Sequence, residues 1–289
     1  MFELVVLGSG TCVPSLRRGS PALLVRLEGR RLLLDLGPGA LRQLLAAGET
    51  IDHLDYVFLS HLHPDHCTDL AAFLFATKYA GFPPRRRPCR VVGSQGLLRF
   101  HGSLKAAWGH WIETEQVEFS EISGPGEIPL PEVEPFRVLC CLPDHSPESL
   151  AYRLELAGPT AGLGPYEAAG ATGSFSEGAG PHRRCRRGAG AATTRSLVYT
   201  GDTDYSGRVV DLARGADLLI AECSFPEGHK VEGHLTPALA GRMAREAQVK
   251  RLLLTHLYPP ADEGDLAAQA AREFSGEILV AEDLMRLEM

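Results

Sequence analysis

Three imidazoles and a carboxylate lie within six residues of one short stretch of this sequence. The stretch FLSHLHPDHCTDL, residues 58–70, contains His61, His63, Asp65 and His66. Alternate residues of an extended chain project to the same side, so His61 and His63 can reach a common point, and Asp65 and His66 follow one turn later. Imidazole nitrogens and carboxylate oxygens are donors that zinc and related divalent cations prefer. The stretch therefore predicts a metal site.

Three more residues, two histidines and an aspartate, each follow an apolar run. His145 comes after LCCLPD, Asp202 after VYTG and His256 after LLLT. Short apolar runs that are bounded by turn residues are typical of buried strands. If these runs are strands of one sandwich, the polar residues that follow them can all meet at one edge.

The motif HxHxDH, followed by ligands at the ends of later strands, resembles that of the metallo-β-lactamase-fold hydrolases. The resemblance covers nearly the whole chain and implies an α/β fold of the α+β type, a four-layer αββα sandwich. It also implies two divalent metal ions, with zinc the first expectation and manganese or iron as alternatives, and a metal-bridging hydroxide as the nucleophile. The implied ligands are His61, His63 and His145 for one ion, Asp65, His66 and His256 for the other, and Asp202 between them. Asp65 is also expected to take part in catalysis.

Other stretches resemble the ribonuclease Z-like branch of these hydrolases. They are LGSGTCVPSLRRGSPALLV near the start, LLIAECSF at 218–225 and GHLT at 233–236. This resemblance implies that Asp35 braces the metal loop and that Glu222 and His234 lie beside the metals. Cleavage of a phosphodiester expels an alkoxide, which is a poor leaving group and benefits from protonation. We therefore expect His234 to act as the general acid and Glu222 to orient it. The alternative is that both are ordinary polar residues at a strand end and a helix entry.

The chain also departs from ribonuclease Z proper. After the metal loop it reads HPDHCTDLAAFLF and lacks the paired glycines of that group. The substrate therefore stays open between RNA and a small phosphodiester. Two alternatives remain: hydrolysis of another ester, such as a sulfate ester, thioester or lactone, and a metal-binding protein without catalytic activity. Undiminished turnover after loss of His234 would favour the other esters.

The order of elements predicts one domain over residues 1–289, with two pseudo-equivalent halves of about 1–145 and 146–289. A hairpin is expected around Glu28 and Gly29, and Thr236 with Pro237 is a typical start of a helix. The last strand-like run, EILVAEDLMRLEM, occupies 277–289. Residues 157–195 are rich in Gly and Ala and predict a flexible insertion. The insertion is either a tolerated surface loop or, through HRRCRR, a basic arm for a polyanion.

Composition limits the classes of protein that this chain can represent. The formal net charge is −7, which argues against a globally basic nucleic-acid-binding protein. The seven cysteines are scattered and never spaced as CxxC, so a reducing cytoplasm is expected. The first residues contain no basic leader, and no apolar run is long enough for a membrane span. The expected partners are a phosphodiester substrate, either a small molecule or RNA, and a second copy of the chain in a homodimer.

Overall fold

The first sheet is built mainly from the N-terminal part of the chain. The computed structural model describes residues 2–79, 88–130, 135–156 and 194–289. In this sheet the strand order is β14-β1-β2-β3-β4-β5-β6, and the strands from β3 to β6 are parallel. The strands are β1 (Phe2–Gly8), β2 (Ala22–Leu27), β3 (Arg30–Leu34), β4 (Tyr56–Phe58), β5 (Cys89–Ser94), β6 (Val117–Ile122) and β14 (Arg286–Glu288).

The second sheet also has seven strands, in the order β13-β12-β11-β10-β9-β8-β7. The strands from β10 to β13 are parallel, and the remaining pairs are antiparallel. Its members are β7 (Gly126–Glu127), β8 (Phe136–Cys141), β9 (Ala151–Leu156), β10 (Arg195–Tyr199), β11 (Leu218–Glu222), β12 (Arg251–Thr255) and β13 (Glu277–Val280).

The described part of the chain contains seven α-helices, of which six pack on the outer faces of the two sheets and one, Pro64–Cys67, lies within the histidine-rich loop after β4. They are α1 (Ala40–Ala46), α2 (Pro64–Cys67), α3 (Asp69–Tyr79), α4 (Leu97–Trp108), α5 (Gly207–Ala213), α6 (Pro237–Ala247) and α7 (Leu266–Ala270). Short 3-10 turns occupy Ile51–His53, Gly109–Trp111 and Pro259–Glu263. Helix α6 begins at Pro237 directly after Thr236, as predicted. It buries Ala240, Met243 and Ala244 at helical spacing.

The strand residues divide between a central core and two outer cores. In β1, Leu4 and Val6 face the core between the sheets, whereas Val5 and Leu7 face the outer core under the helices. This alternation follows from the two-residue period of a strand that is buried on both faces. A second outer core packs α5, α6 and α7 on the other sheet. The four layers confirm the predicted αββα sandwich.

Several features of the fold differ from the sequence prediction or extend it. The hairpin at Glu28 and Gly29 is present, with φ angles of 46° and 81°. The C-terminal run is not one strand, because a turn at Leu284, with φ of 64°, separates β13 in one sheet from β14 in the other. The sheets also change between β6 and β7, earlier than residue 145. Helix α4 and strand β6 were not predicted.

The expected insertion at 157–195 falls almost wholly outside the described residues, and Arg195 at its end already belongs to β10. Within the ranges that the structure describes, no helix is long and apolar enough to cross a membrane.

Candidate metal centre

The predicted ligands lie at the carboxyl ends of strands, where both sheets open to the same side. His61 follows β4, Asp202 follows β10, and His256 follows directly after β12. His145 lies in the loop after β8. Because loops at the carboxyl ends of neighbouring parallel strands converge, residues that are far apart in sequence come together there.

Four predicted ligands form the first group. His61, His63, His145 and Asp202 each offer one atom, and these atoms lie within 4.8 Å of one another. The ring of His61 lies 4.4 Å from that of His63 and 5.2 Å from that of His145, measured between centroids. Three imidazoles and one carboxylate at this spacing form a donor set typical of zinc.

Asp65, His66 and His256 form the second group, also within 4.8 Å. Asp65 Oδ2 lies 3.6 Å from His256 Nε2 and 3.8 Å from His66 Nε2. The two Nε2 atoms are 3.3 Å apart. These two groups coincide with the two ligand sets that the sequence resemblance implied.

Asp202 lies between the two groups. Its Oδ1 is 3.3 Å from His66 Nε2 and 3.4 Å from His256 Nε2, while its Oδ2 is 3.8 Å from His61 Nε2. Asp202 therefore presents one oxygen to each group, as a bridging carboxylate does. A third group combines Asp202 with His234 and His256, so the distances also allow His234 to contact a cation.

The second nitrogen of four of the five histidines in the two groups has a partner that orients the ring. The Nδ1 atoms of four histidines lie near Ser60 Oγ at 3.0 Å (His61), Asp35 Oδ2 at 2.7 Å (His66), the Gly233 carbonyl at 3.0 Å (His145) and Ser224 Oγ at 3.0 Å (His256). Such partners turn the Nε2 atoms toward a metal. In the described part of the chain, buried His61 Nε2, His145 Nε2 and Asp202 Oδ1 make no hydrogen bond. Buried nitrogen and oxygen atoms that have free lone pairs and no hydrogen-bond partner fit divalent cations.

Burial and neighbouring charges shift the pKa values of several residues in the centre. Burial would raise the pKa of Asp202, but the neighbouring imidazoles, His256 and His66 first, hold it well below its usual value. Burial, with His66 nearby, lowers the pKa of His61 far below its usual value. Burial also disfavours a charged His66, yet the carboxylates of Asp202 and Asp35 raise its pKa well above the usual value. The centre therefore keeps its carboxylate ionised, which suits cation binding.

Asp35 connects the metal loop to the opposite sheet. Its Oδ1 accepts the Ser60 amide at 2.7 Å, and its Oδ2 accepts Ser60 Oγ at 2.7 Å and the Tyr199 hydroxyl at 2.6 Å. With the bond to His66, these contacts make a network of Asp35, Ser60, His61, His66 and Tyr199, which we call the Asp35 network. Asp35 is fully buried and has a φ of 63°, a strained conformation for a non-glycine residue.

Glu222 and His234 lie beside the second group, as the resemblance implied. Glu222 Oε1 is 2.8 Å from His234 Nδ1, and Ser224 Oγ lies 2.9 Å from Glu222 Oε2. Burial lowers the pKa of His234, but the hydrogen bond and charge of Glu222 outweigh it and raise the pKa above its usual value. We call Glu222, Ser224, His234 and His256 the Glu222 network.

Two nearby residues do not join these groups. Cys67 is buried in the core, its thiol lies near the carbonyls of Leu62 and His63, and burial raises its pKa to about 12. His229 is exposed and belongs to none of the three candidate groups among the described residues.

Sequence reasoning missed three partners of the imidazoles, Ser60, Ser224 and the Gly233 carbonyl. It also missed Tyr199, which bonds Asp35. Only Ser60 carried a usable signal, because it directly precedes the first histidine of the motif. The others depend on contacts between residues that are 10 or more positions apart.

Comparison with known proteins agrees with the geometry. The metallo-beta-lactamase superfamily matches residues 16–131, and a beta-lactamase superfamily domain matches residues 172–257. Ribonuclease Z of Archaeoglobus fulgidus is 31% identical over 316 aligned positions that cover 100% of this chain and 98% of that protein. The chain belongs to the ribonuclease Z family. This assignment confirms the predicted branch and a metal-dependent hydrolase.

Solved structures share the overall fold of this chain. The metallo-beta-lactamase fold protein YhfI from Bacillus subtilis has a TM-score of 0.74 at 23% identity and covers 100% of this chain and 99% of its own. The human short-form tRNase Z has a TM-score of 0.69 at 22% identity and covers 99% of this chain and 98% of its own. At these identities the likeness supports the fold.

Proposed function

We propose that this ribonuclease Z family member hydrolyses a phosphodiester bond in RNA with two zinc ions bound at the edge of the sandwich. The observation that carries the proposal is the position of Asp202, whose two oxygens face two separate groups of imidazoles. The full-length relationship to a ribonuclease Z supports RNA as the substrate class.

The residues of the two groups would hold the cations. His61, His63 and His145 would bind one zinc, Asp65, His66 and His256 the other, and Asp202 both. Bound zinc lowers the pKa of a water molecule toward neutrality and polarises a phosphoryl oxygen. Asp65 would also orient a water through its second carboxylate oxygen, which its partly exposed side chain allows.

His234 would protonate the departing ribose oxygen. The Nδ1 side of its ring is occupied by Glu222, which leaves Nε2 as the atom that carries and delivers the proton. Its side chain is 15% exposed, whereas that of Glu222 is 1% exposed, so the donor is reachable and its partner is shielded. As water attacks phosphorus, the bond from phosphorus to the ribose oxygen breaks, and that oxygen takes the proton from His234.

The proposal is tested by assaying the zinc-loaded protein on three substrates in parallel. These are a 3′-extended tRNA, the small chromogenic diester bis(p-nitrophenyl) phosphate, and p-nitrophenyl sulfate. We expect cleavage of both phosphodiesters and little of the sulfate ester. Cleavage of the small diester alone would move the substrate class to small phosphodiesters. Preference for the sulfate ester, or no turnover of any diester, would reject the proposal.

Two further sequence predictions stay predictions. A homodimer is expected, and light scattering coupled to size-exclusion chromatography would measure it. The cytoplasmic location is tested by fractionation of cells that express the chain.

A further inference from the structure

Ser224 is a buried residue whose hydroxyl lies between a proposed zinc ligand and the proposed general acid. It follows β11 by two residues and is 0% exposed. Its Oγ lies 2.9 Å from Glu222 Oε2, 3.1 Å from His234 Nδ1 and 3.0 Å from His256 Nδ1. One oxygen atom therefore touches the carboxylate, the proposed acid and a proposed zinc ligand.

The hydrogens around this oxygen allow few arrangements. A carboxylate only accepts, and Glu222 has four donors: the Thr203 amide and His234 Nδ1 at Oε1, and the Ser224 amide and hydroxyl at Oε2. A serine hydroxyl has a single hydrogen, and Glu222 takes it. The oxygen of Ser224 can then only accept from the imidazoles.

The consequence for His256 is a defined tautomer. Its Nδ1 must carry the hydrogen that points at Ser224, which leaves Nε2 with a free lone pair. That Nε2 lies 3.4 Å from Asp202 Oδ1 and 3.6 Å from Asp65 Oδ2. The lone pair therefore faces the second group of proposed ligands.

The same carboxylate defines the proton position on His234. Its Nδ1 donates to Glu222 at 2.8 Å, so the exchangeable position is Nε2. The rings of His234 and His256 lie 5.8 Å apart at an interplanar angle of 13°. The two rings are nearly parallel, and Ser224 Oγ lies near the Nδ1 atom of each.

We propose that Ser224 is a positioning residue that sets the tautomer of His256 directly and orients His234 through Glu222, whose carboxylate accepts the Ser224 hydroxyl, and so couples zinc binding at the second group to protonation of the leaving group. The proposal rests on the proposed function for its second half only. The first half concerns binding of zinc itself and can be measured without turnover.

The experiment compares Ser224→Ala with Ser224→Thr, which restores the hydroxyl, in the full chain. Ser94→Ala is the matched control, because Ser94 is a buried serine whose hydroxyl has no hydrogen-bond partner in the described part of the chain. Thermal unfolding shows that each variant is folded. A competing chromophoric chelator measures zinc affinity, and nitrogen-15 NMR of labelled histidine reports which nitrogen of His256 carries the hydrogen before zinc is added.

We expect Ser224→Ala to weaken binding of the second zinc by about 10- to 100-fold, the usual effect of removing such a partner. The hydrogen of His256 should then distribute between Nδ1 and Nε2. Zinc-saturated Ser224→Ala should lose more activity on a diester with an alkyl leaving group than on the p-nitrophenyl diester. Ser224→Thr and Ser94→Ala should match the wild type in all three measurements.

Unchanged zinc affinity and an unchanged His256 tautomer in Ser224→Ala would overturn the proposal. A change in only one of zinc affinity and leaving-group dependence would overturn the coupling. If the zinc-loaded wild type cleaves no phosphodiester, the proposed function fails, while zinc affinity and the tautomer still decide the role of Ser224.

Discussion

The Asp35 network and the Glu222 network have the same arrangement of hydrogen bonds, but the first is centred on loops of the first sheet and the second on loops of the second sheet. In each, a buried carboxylate accepts the hydroxyl of a serine, and the serine oxygen lies near the Nδ1 atoms of two imidazoles. They differ in exposure. The side chains of His61 and His66 are 1% and 0% exposed, whereas that of His234 is 15% exposed.

The difference in exposure suits the imidazoles of the two networks to different roles. An imidazole that is enclosed on all sides can serve as a fixed ligand, and its partners only need to hold it. An imidazole at the solvent edge can meet a substrate oxygen and exchange protons with water. Within these two networks, burial separates the proposed ligands His61, His66 and His256 from the proposed acid His234. Burial is not a property of every proposed ligand, because His63 is exposed.

Breaking the Asp35 network should have the largest effect. In Asp35→Asn an amide nitrogen must face the donors of Ser60, His66 or Tyr199, so buried donors lose their acceptor. We expect a loss of about 3 to 5 kcal/mol in the free energy of unfolding, loss of bound zinc and no measurable hydrolysis. Chemical denaturation measures the free energy of unfolding, metal analysis measures the bound zinc, and an activity assay measures the hydrolysis. Asp52→Asn is the control, because Asp52 Oδ1 has no hydrogen-bond partner among the described residues.

Removing the exposed imidazole should leave the metal centre in place. His234→Ala is expected to lower turnover of 3′-extended tRNA by about 10²- to 10⁴-fold, because the ribose oxygen loses its proton donor. Turnover of bis(p-nitrophenyl) phosphate should change much less, since its leaving group needs little protonation. Zinc content should stay at the wild-type value.

His229→Ala is the control for that variant, as an exposed histidine five residues earlier in the same loop. Undiminished cleavage of tRNA by His234→Ala would refute the acid role. Loss of one zinc would instead make His234 a ligand, as the third candidate group allows.

Ser60→Ala tests whether the serine of the Asp35 network affects zinc binding alone, unlike Ser224. His61 Nδ1 loses its partner at 3.0 Å, but Asp35 keeps the Ser60 amide, His66 and Tyr199. Zinc affinity should fall by about 10-fold. The ratio of activities on the alkyl and p-nitrophenyl diesters should not change, because neither imidazole of this network protonates the substrate. A changed ratio would show that the two networks are not separate in function.

The smallest effect is expected from Tyr199→Phe. It removes one hydrogen bond to Asp35 across the two sheets, which is worth about 1 kcal/mol in the free energy of unfolding. Zinc affinity should fall slightly. Tyr152→Phe is the matched comparison, because that buried hydroxyl bonds the Leu59 carbonyl and not Asp35. Equal zinc affinity in the two variants would show that the hydrogen bond from Tyr199 to Asp35 does not affect zinc binding.

Periodicity predicted some elements of the fold and missed others for identifiable reasons. Strand β1 and helix α6 bury regular sets of apolar residues, so their patterns are clear. Helix α4 buries only Leu97 fully, with Phe100 and Leu104 partly buried, and β6 is half exposed, so neither stands out as a buried apolar run. The turn at Leu284 lacks glycine or proline, so nothing in the sequence separated β13 from β14.

The candidate site divides in the same way. The sequence by itself predicted the donors, HxHxDH through its spacing and chemistry, and His145, Asp202 and His256 through the family resemblance. It also placed them on one edge, since parallel strands end there. Only the tertiary structure decided which nitrogen of each imidazole faces the centre and which histidine stays at the solvent edge. Those properties depend on Ser224 and the Gly233 carbonyl, which reach His256 and His145 from other loops of the second sheet, and on Tyr199, whose bond to Asp35 joins the two sheets. Residues that are far apart in sequence meet there only in the folded chain.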